Sequence, residues 1–188
     1  MADLRDLIAD TRLVHLVGAP GGVPPFATPA RTQRLDFDLW HQEMDNWCWA
    51  AVSSAIGNFY AGSVGFHQCD VAAIALGRPC CPSPSLCDEP YFLEDGLGAV
   101  GHPATVTKTI PNYEIQADID AGRPVAARIQ WAAGGGHFVV IEGYSTTVGG
   151  QLLYVEDPWS GGHDVMDSEF RTSYQGAGSW SHTYRTAP

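Results

Sequence analysis

Three short segments carry side chains that could do chemistry together. The first is Gln42-Glu43-Met44-Asp45-Asn46-Trp47-Cys48-Trp49-Ala50-Ala51. From Cys48 onward, Trp49, Val52, Ile56 and Phe59 or Tyr60 recur three to four residues apart. That is the spacing of a buried helix. A cysteine at a helix N-terminus lies at the positive end of the helix dipole, which favours the thiolate, the nucleophilic form of the side chain. Gln42 stands six residues upstream, close enough for its amide to reach back beside the sulfur. Together with the backbone N–H of Cys48 it would form an oxyanion hole. The second segment is Gly134-Gly135-Gly136-His137-Phe138-Val139-Val140-Ile141. Here a histidine opens an apolar strand after a flexible turn, where it can serve as the base for the cysteine. The third is Tyr154-Val155-Glu156-Asp157-Pro158-Trp159. A carboxylate at the end of the next strand can accept from the histidine ring and fix its tautomer. Glu156 and Asp164 are lesser candidates for that role, and His163 is a reserve for the base.

These residues also have purely structural readings. A free cysteine often packs as a small hydrophobe. A histidine on an apolar strand is usually a satisfied core residue, and an aspartate before proline commonly marks a turn. Gln42 could be a plain polar loop residue, and Trp47 and Trp49 read as packing. What favours chemistry is the coincidence of all the segments in one chain.

The elements that must position them are readable in outline. A helix is expected from Cys48 to Tyr60, with Asp45 and Asn46 as its natural N-caps. Further helices are expected over Asp70–Leu76, Pro90–Val100 and Ile115–Ala121, the last closed by Gly122. Between them lies a proline-rich cysteine loop, 79–90. The second half changes to short runs of β-branched and aromatic residues at Pro124–Trp131, His137–Tyr144 and Gln151–Val155, with a final strand in Ser179–Tyr184. Val148-Gly149-Gly150 reads as a hairpin connection. Helices first and strands second predict an α+β fold, an N-terminal helical subdomain packed on a C-terminal antiparallel sheet. Residues 1–35 read as an extended N-terminal arm, able to occupy the cleft as an inhibitory segment, and residues 36–188 as the catalytic domain.

The bulk properties narrow the function. The 188 residues suit one domain, and 45% hydrophobic content supports a sizeable core. A net charge of -11 argues against a nucleic-acid partner. No apolar run approaches the roughly 20 residues of a membrane span, so no membrane insertion is expected. The N-terminus lacks a clear Sec signal. The protein is therefore expected to be secreted or delivered to another cell by another route, with a cytoplasmic location as the alternative. Of five cysteines, those at 69, 80, 81 and 87 cluster and Cys48 stands apart. Two disulfides plus one free thiol fit this count, joining Cys69 and Cys87 to Cys80 and Cys81 in either order. A zinc site is the rival reading of the cluster. No cofactor and no metal is expected at the Cys48 site.

The pattern Gln-x5-Cys-Trp-Ala-Ala, then Gly-Gly-His-Phe-Val-Val-Ile-x-Gly, then Asp-Pro resembles the papain-like cysteine protease superfamily. It is similar to the bacterial branch, which includes staphopain-like enzymes, plant-pathogen effector proteases and bacteriocin-processing peptidases. Gly122-Arg123-Pro124-Val125 and the pair Cys80-Cys81 add to the likeness, which covers roughly residues 36–160. The resemblance implies a papain-like fold with Cys48 as nucleophile, His137 as base, Asp157 as orienter and Gln42 as oxyanion donor. Papain itself has Asn in the third place, and the proline loop and the Gly- and Ser-rich tail lie outside the pattern. The implied function is an endopeptidase acting on protein or peptide through an acyl-enzyme, with an inhibitor or immunity protein as a further partner. The alternatives are a deamidase, transglutaminase or acyltransferase effector or toxin on the same scaffold, or an inactive binding module.

Overall fold

A computed structural model of the protein describes residues 30–188. Most of the expected N-terminal arm, and with it any contact to the cleft, lies outside the described residues. The helical half contains α1 (Cys48–Ala61), α2 (Gln68–Leu76) and α3 (Leu93–Ala99). The strands are β1 (Thr32–Arg34), β2 (Thr105–Thr107), β3 (Val125–Trp131), β4 (Gly136–Thr147), β5 (Gly150–Glu156), β6 (His163–Met166) and β7 (Gly178–Arg185). Two more helices, α4 (Asn112–Asp120) and α5 (Asp167–Thr172), are interleaved with them. The expected α+β class holds: seven antiparallel strands form one sheet in the order β2-β7-β3-β4-β5-β6, with β1 also paired to β4.

Period-two alternation along β3 and β4 sends their apolar residues to both faces of the sheet. Ala126, Phe138 and Val140 point to one face and pack with Trp47, Trp49, Val52 and Ile56 of the α1 region and with Leu93 and Leu97 of α3. Val125, Ala127, Ile129, Val139 and Ile141 point to the other face, against Ile115, Ile119 and Phe170 of α4 and α5. Both faces of the sheet are thus covered, the condition under which a strand needs apolar residues at every position. The helical subdomain covers only one of them, and α4 and α5 supply the second cover.

α1 is the hub of the helical layer. Its residues from Trp49 to Gly57 are all buried, and it ends at Gly62 in the left-handed conformation, φ 65°. Gly96 on α3 sits directly over Ser53 and Trp49, where any β-carbon would collide with the Ser53 hydroxyl. The two helices therefore approach closely enough that only glycine fits. The start of α1 differs from expectation. Trp47, not Asp45 or Asn46, occupies the N-cap, and no side chain of its own segment caps it. The stabilising contacts come instead from a distant loop.

Candidate active site

Cys48 is the first residue of α1 and is half-buried. It is the one free cysteine among the described residues, the other four being joined as Cys69–Cys81 and Cys80–Cys87. That pairing resolves the alternative left open by the sequence. It also engages every sulfur that a zinc site would have needed as thiolate.

His137 is the second residue of β4. Gly134 and Gly135, at φ 98° and 77°, make the turn that delivers the chain to it. Both values lie where glycine is strongly favoured. The β4–β5 hairpin then returns the chain so that Asp157, just past β5, faces the ring. His137 Nε2 and Asp157 Oδ1 are 2.7 Å apart, both side chains buried. With Nε2 engaged by Asp157, Nδ1 is the ring nitrogen left for Cys48, which lines the same cleft.

Asp157 is held from several sides. Oδ1 also accepts from the backbone N–H of Trp159 at 2.7 Å and of Ser160 at 3.2 Å. Oδ2 accepts from the Tyr174 hydroxyl at 2.7 Å and from the Gln175 amide at 3.2 Å. Burial acts to raise this carboxyl. The hydrogen bond and charge of His137, with the Trp159 N–H and Tyr174 hydroxyl, outweigh it and hold Asp157 well below the usual carboxylate range. His137 behaves reciprocally. Burial opposes its charged form, but the hydrogen bond and charge of Asp157, with the Cys48 side chain beside it, raise it to about 9. Tyr174 is pushed up, first by burial and then by the adjacent Asp157 charge.

Gln42 is buried and lines the same cleft as Cys48 and His137. Its Nε2 donates to the carbonyls of Met44 at 2.8 Å and Asp45 at 2.7 Å. The amide thus braces the turn that leads into Cys48, and its Oε1 is buried without a partner. The opposite amide orientation would set Oε1 against two carbonyl oxygens. The Gln42 backbone N–H donates to Pro158 O at 2.8 Å, tying the segment before α1 to the Asp157 turn. The cleft has a volume of about 410 Å³, with Trp49 and Tyr91 on the helical wall and Trp131, Trp159 and Gln175 on the sheet wall. Trp131 stacks on His137 at 6.1 Å between ring centroids.

The structure therefore brings Cys48, His137, Asp157 and Gln42 into one cleft. The reserve residues are elsewhere. Glu156 pairs with Glu142 and Arg34 behind the sheet. Burial and the neighbouring Glu142 raise its carboxyl to about 7. Asp164 is exposed on β6, and His163 Nδ1 contacts Gly161 O at 3.0 Å. Tyr174 and Gln175 were not foreseen. They lie in the Gly-rich tail, in a loop with no periodicity. Gln175 takes φ 48°, a left-handed value rare outside glycine that residue types do not announce.

A helix opening with a free cysteine, packed against an antiparallel sheet that carries a histidine and an aspartate, is the architecture of the papain-like cysteine-peptidase class. Within that class the chain belongs to the Peptidase_C39-like family, whose sequence pattern matches residues 34–187. Among solved structures it resembles a Bacillus anthracis protein described as C39-like peptidase. The TM-score is 0.54 and the identity 17%, over 82% of this chain and 97% of that one. That likeness is one of fold. No curated protein matches the chain.

Proposed function

We propose that the protein is a cysteine endopeptidase that cleaves peptide bonds through an acyl-enzyme on Cys48. The observation that carries this reading is the convergence of Cys48 and His137 in one cleft, with His137 Nε2 bound to a saturated Asp157 carboxylate. The sulfur attacks the scissile carbonyl carbon, and the bond to the leaving amine breaks as His137 gives that amine its proton. Asp157 keeps Nε2 protonated and the ring oriented. The oxyanion forms against the Cys48 N–H, which has no intrahelical acceptor because it lies in the first turn. Gln42 donates a second hydrogen bond if one of its two amide hydrogens leaves a turn carbonyl. Water then adds to the thioester with His137 as base, and the acid product departs.

The test is covalent labelling with an epoxide inhibitor of papain-like enzymes, followed by peptide mass spectrometry and a peptide-cleavage assay. Cys48 should carry a single rapid label that slows in His137→Ala, and Cys48→Ala should abolish cleavage without loss of fold. Turnover surviving in Cys48→Ala would exclude this mechanism.

A further inference from the structure

The contacts that hold the start of α1 come from the far side of the cysteine loop. Cys87 O accepts from Trp47 Nε1 at 2.8 Å, Asp88 Oδ1 from the Asn46 N–H at 2.8 Å, and Glu89 O from Trp49 Nε1 at 3.1 Å. Three consecutive residues thus grip the two residues before Cys48 and the one after it. Trp47 and Trp49 are fully buried, so their indole N–H groups have no water to fall back on. The same segment continues into Pro90 and Tyr91, which line the cleft. Within it, the loop is closed by the Cys80–Cys87 disulfide, whose two residues are buried. The outer disulfide, Cys69–Cys81, anchors the loop to α2 and ends in an exposed cysteine.

We infer that the segment Cys87–Glu89, with Asp88 as its positioning side chain, sets the nucleophile in place, and that the Cys80–Cys87 disulfide holds this segment there. The inference rests on Cys48 being the nucleophile. Its consequence is an opposed redox requirement: Cys48 must stay a thiol while the disulfide of the loop that grips its helix stays closed. A dithiol such as dithiothreitol delivers two electrons and two protons to the Cys80–Cys87 bond. The S–S bond breaks, two thiols form, and the reagent closes to its own cyclic disulfide. The exposed Cys69–Cys81 bond opens first. The buried one opens only at higher reductant, and the Cys87 carbonyl and Asp88 are then free to leave the tryptophans and Asn46.

The experiment compares Asp88→Ala and Asp88→Asn with wild type, in kcat, KM and the alkylation rate of Cys48, with melting temperature as the control for fold. Asn keeps an oxygen for the Asn46 N–H; Ala does not. Asp88→Ala should lose about tenfold to a hundredfold in kcat with KM little changed, and Asp88→Asn should recover most of that loss. In parallel, wild type is titrated with dithiothreitol while mass spectrometry follows each disulfide. Turnover should hold when only Cys69–Cys81 is open and fall when Cys80–Cys87 opens, with Cys48 free throughout. An Asp88→Ala variant no slower than Asp88→Asn, or full turnover with both disulfides open, overturns the inference alone. A wild type that neither labels at Cys48 nor cleaves peptide removes the nucleophile, and the inference with it.

Discussion

His137 and Asp157 form a buried pair whose ionisation each partner sustains in the other. His137 keeps its proton to about 9 against an ordinary 6.5. A raised folded-state value contributes stability that is full below pH 6.5 and is lost as pH rises through 9. In the proposed mechanism the same proton sets the alkaline limb of activity, because the leaving amine needs it. Asp157→Asn removes the negative charge but keeps a hydrogen-bond partner for the ring. Burial, which lowers His137, then faces less opposition. The alkaline limb of the kcat/KM profile should therefore move to lower pH by more than one unit. An unmoved limb would mean that Asp157 acts only on ring orientation. The carboxylate accepts from five donors, so the asparagine NH₂ must also meet groups that donate, such as the Gln175 amide. A fall in melting temperature should accompany the shift.

At the scale of elements, the least anticipated feature is β1. Residues 32–34 read as part of an irregular arm, yet they pair with Gly143–Ser145 of β4. Gly143 makes this possible. A β-carbon there would lie 2.6 Å from Gln33 O and 2.9 Å from Arg34 Cα, both backbone atoms that cannot swing away. Gly143→Ala should displace β1 and cost about 1–3 kcal/mol, an overpacking penalty, read as a lower midpoint in urea denaturation. An unchanged midpoint would show that β1 is not held by this contact. The stretches that were legible in the sequence share one property: their signal is local. The α1 spacing, the glycine turn before His137, the Val148–Gly150 connection and the strand-ending Pro158 each lie within a few residues of what they specify. β1, β2 and β6 are three or four residues long, too short to show a period, and they are held by partners far along the chain. The start of α1 escaped for the same reason: the helix has no side-chain cap, and the turn before it is held by Asp88, 42 residues away, which accepts from the Asn46 N–H. In the cleft, the Cys, His and Asp segments each have a recognisable neighbourhood, whereas Tyr174 and Gln175 reach Asp157 only through the fold.

For the molecule as a whole, a net charge of -11 surrounds a cleft whose Asp157 charge is already matched by His137. The excess field repels anionic peptides and draws cationic ones. Substrates with the same cleavage site should show higher kcat/KM with flanking lysines than with flanking glutamates at low salt. The two should converge as salt shortens the Debye length to about 3 Å near 1 M. A preference that persists at high salt would point to a direct contact in the cleft. The sheet order has a consequence of another kind, for synthesis. β7 lies between β2 and β3, although it follows β3 by more than forty residues. Until residue 185 has left the ribosome, β3 and β2 present open edges to each other, and Tyr174 and Gln175 have no strand to fix them beside Asp157. Cys48, His137 and Asp157 all emerge earlier, but their frame closes last. Such an order makes the final strand the step on which the sheet, and the cleft beside it, wait.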